Sequence, residues 1–322
     1  MKTILTGIKP SGTPHVGNFF GAIKPAITQI NATRGARSLL FIADYHALTT
    51  VRDSGMLRDY VRELACVWLA CGLDPKTTIF YRQSDVPEIF ELATIISNIT
   101  PKGLLNRAHA FKAATDSGAD VNMGLFNYPV LMSADILAFD TNYVPVGQDQ
   151  KQHVEITADI AGAFNAVWGQ TLTIPEPRIE KAVAIIPGLD GRKMSKSYGN
   201  QIPLFAPAIE LKKHIMRITT DSSEPSEPKP LDHPLMQLYT LFATPEEANI
   251  MRTRFANGVG WGTVKSELVT VAERTIAPMR AKFEYYIANY GLVEDILRDG
   301  AKRARAIAKK TLKRVRIAVG AN

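Results

Sequence analysis

The feature that most restricts what this chain can fold into is an alternation, over its first two hundred residues, of short apolar runs with longer stretches of helical periodicity. Residues 2–8 alternate and end at Gly7, Pro10-Ser11-Gly12-Thr13-Pro14 follows as a turn-rich loop, and a helical pattern runs from Gly17 toward Asn31. Residues 38–43 form a continuous apolar run, as a strand buried on both faces requires, and residues 54–71 read as helix. Residues 77–81 repeat the strand signal, and Val86-Pro87-Glu88 opens another helix. Strands and helices in turn bury their apolar sides by covering a parallel sheet on both faces, and such sheets bind ligands beyond the carboxyl ends of their strands.

The predicted fold is therefore α/β, a Rossmann-like doubly wound parallel sheet. The alternation lapses at residues 100–124, which read as an insertion. A helix is predicted from near Pro129, a strand at 142–146, a long helix at 149–168 and a last strand at 182–186. Residues 222–230 are a proline-spaced connector with too few apolar groups to pack deeply, and only helical periodicity follows from 234 to 319. Two domains result: residues 1–200, a Rossmann-like catalytic domain with its insertion at about 100–145, and residues 201–322, all helical.

Charge is distributed unevenly. Between Arg298 and Asn322 nine bases face a single acid, Asp299, so this segment holds more than the chain's whole formal charge of +7. Positive charge concentrated at one end of a nearly neutral protein is the footprint of phosphate contact. The two cysteines, Cys66 and Cys71, read as reduced thiols on one helix, and the six histidines form no pair at metal-ligand spacing, so no protein-bound metal is expected. The longest apolar stretch is too short to cross a bilayer, and the first residues lack the apolar segment of a signal peptide, which predicts a cytoplasmic chain with no membrane partner.

Two loops carry chemistry. Pro14-His15-Val16-Gly17-Asn18 lies at the start of the first helix, where backbone N–H groups without helical partners, a glycine that admits close approach and two polar side chains suit a phosphate. Residues 188–199 set Lys193 and Lys196 among Ser195, Ser197 and three glycines, a mobile cationic arm able to close on a polyphosphate.

Pro14 to Asn18 resembles the first signature of the class I aminoacyl-tRNA synthetases, and Lys193-Met194-Ser195-Lys196-Ser197 matches their second signature letter for letter. Residues 146–153, from Val146-Gly147-Gln148-Asp149-Gln150 onward, resemble an ATP and amino-acid motif of the tyrosyl and tryptophanyl subgroup. With residues 7–12 and 128–135 added, the resemblance to bacterial tryptophanyl-tRNA synthetases runs from end to end.

The choice of amino acid is legible in the residues themselves. Tyr128, Met132 and Asp135 are spaced four and three apart, so they share one helix face. Met132 offers a polarisable surface to an aromatic ring, and Asp135 an acceptor to the single N–H donor of an indole. Val144 and Val146 project to one side of a strand as an apolar wall. In tyrosyl relatives the position of Met132 is usually glutamine, so tryptophan is favoured over tyrosine.

The resemblance implies ATP-dependent activation of L-tryptophan and its transfer to tRNA(Trp), by a homodimer using Mg²⁺ with ATP. It assigns Lys193, Lys196, His15, Asn18 and Ser195 to catalysis. Lys9, Ser11, Gly17, Gly147, Asp149 and Met194 join them at ATP. Leu5, Gly7, His46 and Gln150 complete the tryptophan pocket, Gln150 with Tyr128 at the α-amino group and His46 near the reacting carboxylate. The helical domain is assigned to the anticodon. Lys9, His15 and Gln148 stand where the family commonly has glutamine, threonine and glutamate. A tyrosyl-tRNA synthetase, a small nucleotidyltransferase and a tRNA-binding paralogue without catalysis are the competing readings.

Overall fold

A computed structural model describes residues 1–32, 35–108, 111, 115, 121–179 and 185–321, with Asp149 described by its backbone alone. Five strands form one parallel sheet: β1 Thr3–Ile8, β2 Arg37–Ile42, β3 Thr78–Arg82, β4 Tyr143–Val146 and β5 Glu176–Ile179, in the order β3-β2-β1-β4-β5. All four pairings are parallel, with β1 matched to β2 from Thr3 opposite Arg37 to Ile8 opposite Ile42. The chain winds outward from β1 through β2 to β3, then returns to place β4 and β5 on the other side. That reversal opens a crevice between the carboxyl ends of β1 and β4.

The first helical run opens as α1 Val16–Asn18, passes through a π-helical turn at Phe19–Ile23 and continues as α2 Lys24–Ala32. Around the sheet lie α3 Asp44–Ala47, α4 Ser54–Ala70, α5 Glu88–Ser97, α6 Lys102–Asn106, α7 Met123–Leu137 and α8 Lys151–Trp168. Helices α9 Ala208–Met216, α10 Pro234–Phe242, α11 Pro245–Asn257, α12 Trp261–Ala288 and α13 Tyr290–Val319 complete the chain. Alternate strand residues serve opposite cores. Leu40 and Ile42 join Phe20, Trp68, Met236 and Leu268 on one face, while Leu39 and Phe41 join Leu5, Val130, Val144 and Ile160 on the other.

Two elements depart from expectation. Helix α7 begins at Met123, six residues before Pro129, because Asn122 caps it: its Oδ1 accepts the N–H of Leu125 at 3.0 Å. The fifth strand is Glu176–Ile179 rather than 182–186; residues 182–184 lie outside the described residues, and Ile185 and Ile186 are not in a strand. Pro177 obscured it, since proline disfavours a strand interior, but β5 is an edge strand, where a missing N–H costs no ladder bond. Residues 100–145 also hold part of the core, because Val130, Ala134 and Leu137 of α7 are fully buried against the sheet.

Helix α13 lies across β3, the other edge of the sheet, and covers it. Gly300 permits this: a Cβ there would sit 1.7 Å from the carbonyl oxygen of Phe80. Ala301, Ala304, Ala308, Leu312 and Val315 then join the second core. The basic character of this helix is largely answered from within the protein. Arg305 pairs with Glu88, Arg314 with Asp140 and Arg316 with Glu91, while Arg298 and Arg303 pair with Asp295 and Asp299 of α13 itself. Its lysines are less engaged: Lys302, Lys310 and Lys313 are exposed, and Lys309 stands 4.0 Å from Glu88. Among the described residues no helix is long and apolar enough to cross a membrane.

Gly300→Ala forces a methyl group into the β3 backbone and should destabilise the protein by about 3 kcal/mol or more, the upper range of overpacking. Gly162→Ala, in α8 with nothing within 4 Å of its new Cβ, should stabilise by about 0.5–1 kcal/mol. Denaturant midpoints of the two variants check both signs; equal midpoints would contradict the packing of α13 on β3.

Candidate active site

Every strand from β1 to β4 delivers polar residues at its carboxyl end. Lys9 and Ser11 follow β1, Asp44 and His46 follow β2, Gln83 and Ser84 follow β3, and Gly147 with the 3₁₀ turn Gln148–Gln150 follows β4. The side chain of Asp149 lies outside the described residues.

At the start of α1, His15 and Asn18 form a reciprocal cap: the N–H of Asn18 donates to His15 Nδ1 at 3.3 Å, and the N–H of His15 donates to Asn18 Oδ1 at 3.0 Å. Burial, reinforced by the nearby Lys196 charge, lowers the His15 pKa to about 4. The ring is neutral at physiological pH, and because Nδ1 accepts, Nε2 carries the proton. The helix start is not the open set of donors expected from the sequence. Val16 N–H donates to Ile202 O at 2.9 Å, Gly17 N–H to Met194 Sδ at 3.2 Å, and Phe19 N–H to His15 O at 3.1 Å. The lysine-serine loop and the segment behind it are docked there and satisfy the first turn themselves. Donors for a phosphate in this conformation are side chains.

The docked loop has a builder that sequence reasoning missed. Asn200 is buried and donates from Nδ2 to Asp190 at 2.6 Å and to the carbonyl of Lys193 at 3.1 Å, while its Oδ1 accepts the N–H of Ser195 at 2.8 Å. A Cβ on Gly188 would come within 2.4 Å of it, so the glycine makes room for the asparagine. Met194 is buried, whereas Lys193 is exposed and Ser195 Oγ lies 2.8 Å from Ser197 Oγ. Lys196 reaches back over the β1 loop and donates to Ser11 O at 2.9 Å. Burial lowers its pKa, and Glu63, which accepts from Thr13 Oγ1 at 3.1 Å, opposes that shift. Lys9 donates to Thr49 Oγ1 at 2.9 Å, and burial lowers its pKa too.

On the opposite face of the sheet, the residues predicted for an amino-acid pocket come together. Leu5 and Val144 are buried, and Met132 and Val146 are half-buried against the same core. Gly7 lies beneath Phe41, whose ring a Cβ would meet at 2.5 Å. The Tyr128 hydroxyl is 2.5 Å from His153 Nε2, and burial raises the Tyr128 pKa to about 12. Asp135 is fully buried, and burial raises its pKa against the opposing pull of His46 and Gln83. Its carboxylate has two partners among the described residues: His46 Nε2 lies 2.8 Å from Oδ2, and Gln83 Nε2 donates to Oδ1 at 2.9 Å and Oδ2 at 3.0 Å. Those contacts offset a burial that would otherwise cost several kcal/mol. Among the described residues, three of about four lone-pair positions are engaged, which leaves capacity for one more donor. Among the described residues, no group of three or more His, Cys, Asp or Glu side chains could hold a metal ion.

Two polar loops thus meet at the start of α1, and a buried acid lies on the other face of the sheet. Known proteins match nearly the whole chain. The family model for class I tRNA synthetases (W and Y) matches residues 1–272. The tryptophan–tRNA ligase of Bordetella parapertussis is 49% identical over 328 residues, covering 98% of this chain and 72% of that one. The corresponding ligase of Neisseria meningitidis is 44% identical, covering 99% of this chain and 98% of that one. The tryptophanyl-tRNA synthetase of Campylobacter jejuni, solved in complex with ADP and tryptophan, superimposes with a TM-score of 0.93 at 40% identity, covering 99% of both chains. The sheet, the two docked loops and the match along the chain agree: this protein belongs to the tryptophanyl and tyrosyl family of class I tRNA synthetases.

Proposed function

We propose that the chain is an ATP-dependent tryptophan–tRNA ligase that forms tryptophanyl-adenylate and then transfers tryptophan to the terminal adenosine of tRNA(Trp). The observation that carries this reading is the docking of the lysine-serine loop on the helix start at the strand reversal, with Asp135 buried across the sheet. The carboxylate of tryptophan attacks the α-phosphorus of ATP in line and pyrophosphate leaves, so no protein nucleophile is needed. Catalysis is then a matter of placing substrates and of donors set where phosphate charge builds.

Lys193 and Lys196 meet the leaving pyrophosphate. His15 donates from Nε2 and Asn18 from its amide, and Lys9 and Ser11 line the nucleotide with Gly17, Met194, Gly147 and Asp149. Ser195 steadies the loop. Mg²⁺ arrives as a partner of the triphosphate oxygens. Indole sits between Met132 and the wall of Leu5, Gly7, Val144 and Val146, with its N–H on Asp135. Tyr128 and Gln150 take the α-amino group. His46, in contact with Asp135, orders the same pocket. Residues 201–322 serve tRNA, at the anticodon, and the active form is a cytoplasmic homodimer.

Pyrophosphate exchange measured with tryptophan, with tyrosine and with no amino acid should require tryptophan; exchange driven by tyrosine, or none at all, would refute the reading. In the same assay Lys196→Ala should lower the exchange rate by about 100- to 1,000-fold, the loss typical of a donor to developing charge, while tryptophan affinity changes little. An undiminished rate would remove Lys196 from catalysis.

His15 should titrate near pH 4 in an NMR experiment rather than near 6.5. The unfolded ring accepts a proton below about 6.5 that the folded ring refuses. Its contribution to stability is thus present above that pH and lost as pH falls toward 4. A ring that titrates at its ordinary value would contradict the buried cap. Neutralising Lys309, Lys310 and Lys313 together should reduce the slope of log Kd for tRNA against log salt by up to about 3; an unchanged slope would leave α13 a purely structural helix.

A further inference from the structure

Gln83 lies outside every motif discussed above, yet it is fully buried at the carboxyl end of β3 with each polar atom committed. Its Oε1 accepts the backbone N–H of Tyr45 at 3.2 Å. That donor decides which way the amide faces, because an Nε2 in the same place would oppose N–H to N–H. Nε2 is thereby turned toward Asp135 and lies within 3.0 Å of both carboxylate oxygens.

The backbone beneath Gln83 is pinned as firmly. Arg82 donates from Nε to Asp85 at 2.8 Å and grips both oxygens of Glu294 on α13 at 2.7 and 2.9 Å. Ser84 donates from its N–H to Asp44 at 3.1 Å and pairs with it again through its hydroxyl. A glutamine held on both sides cannot follow the carboxylate, so the carboxylate must follow the glutamine.

From this geometry we infer that Gln83 is a positioning residue for amino-acid specificity: it fixes the plane of the Asp135 carboxylate so that one lone pair stays aimed at the ring N–H of the substrate. The inference rests on the reading of Asp135 as the indole acceptor. With Gln83 replaced by an apolar side chain, only His46 restrains Asp135 among the contacts described, and the carboxylate can rotate away from the ring or pick up a proton. Binding of the ring by shape remains. What is lost is the distinction between a ring that donates and one that does not.

The test compares tryptophan with 3-(benzothiophen-3-yl)alanine, which keeps the ring shape and lacks the N–H, in pyrophosphate exchange by the full chain. The unmodified protein should favour tryptophan in kcat/KM by at least about 100-fold, as sites built to hydrogen-bond a substrate do. Gln83→Met, close in volume, should cut that preference by about 10- to 100-fold, the worth of a hydrogen bond to a charged group. The loss should fall on tryptophan, with the analogue and the KM for ATP unchanged within about threefold. A general structural weakening would lower both substrates alike and leave the ratio intact, and that result overturns the role of Gln83. Should Gln83→Met not fold, Gln83→Asn decides: its amide is one methylene too short to reach Asp135, and a retained ratio overturns the inference equally. If the unmodified protein shows no preference, the Asp135 reading itself fails; a preference that survives substitution removes Gln83 alone.

Discussion

The site depends on a close approach that only glycine allows. A Cβ at Gly17 would lie 2.9 Å from His15 Nδ1 and 3.2 Å from the Met194 side chain, so a larger residue there would displace the capping ring and crowd the lysine-serine loop. With glycine in place, Met194 Sδ covers the Gly17 N–H, Ile202 O takes the Val16 N–H, and two loops nearly two hundred residues apart become one surface. Lys196 owes its position to this contact. Sulfur is a weak acceptor, so the Gly17 contact holds the loop less firmly than the Val16 bond to Ile202 beside it.

A second constraint acts through burial. Asp135 is fully enclosed in a core of apolar side chains, and a carboxylate there is tolerable only with its partners in place. His46 comes from beyond β2 and Gln83 from beyond β3, while Asp135 itself is on α7, so the acid knits three segments at the carboxyl edge of the sheet. Helix α13 reaches the same edge through Arg82 and Glu294. The helical region and the pocket therefore share a structural support, and the arginines of α13 spend their charge on that attachment more than on solvent.

Much of this was legible in the residues. Strands β1 to β4 declared themselves through alternation or short apolar runs beside turn residues, and the spacing of Tyr128, Met132 and Asp135 correctly placed them on one helix. The second signature stood out for its interleaved lysines and serines. What stayed hidden depends on pairing across distance. Asn200 and Gln83 are ordinary polar residues in sequence and acquire roles only when folding buries them beside a loop backbone and a carboxylate. Strand β5 was masked by Pro177, harmless only because the strand turned out to be an edge. Pairing across distance also touches the basic segment, whose charge counted along the chain leaves out the acids that Glu88, Glu91 and Asp140 bring from elsewhere.

In the proposed reaction both substrates lie at the carboxyl edge of the sheet, and a crystal structure of the protein with tryptophan and a non-hydrolysable ATP analogue tests that placement. The triphosphate should lie between His15 and Lys196, above the crevice separating β1 from β4, with the indole nitrogen within hydrogen-bonding distance of Asp135. A nucleotide bound away from both loops, or an indole whose nitrogen faces away from Asp135, would contradict it.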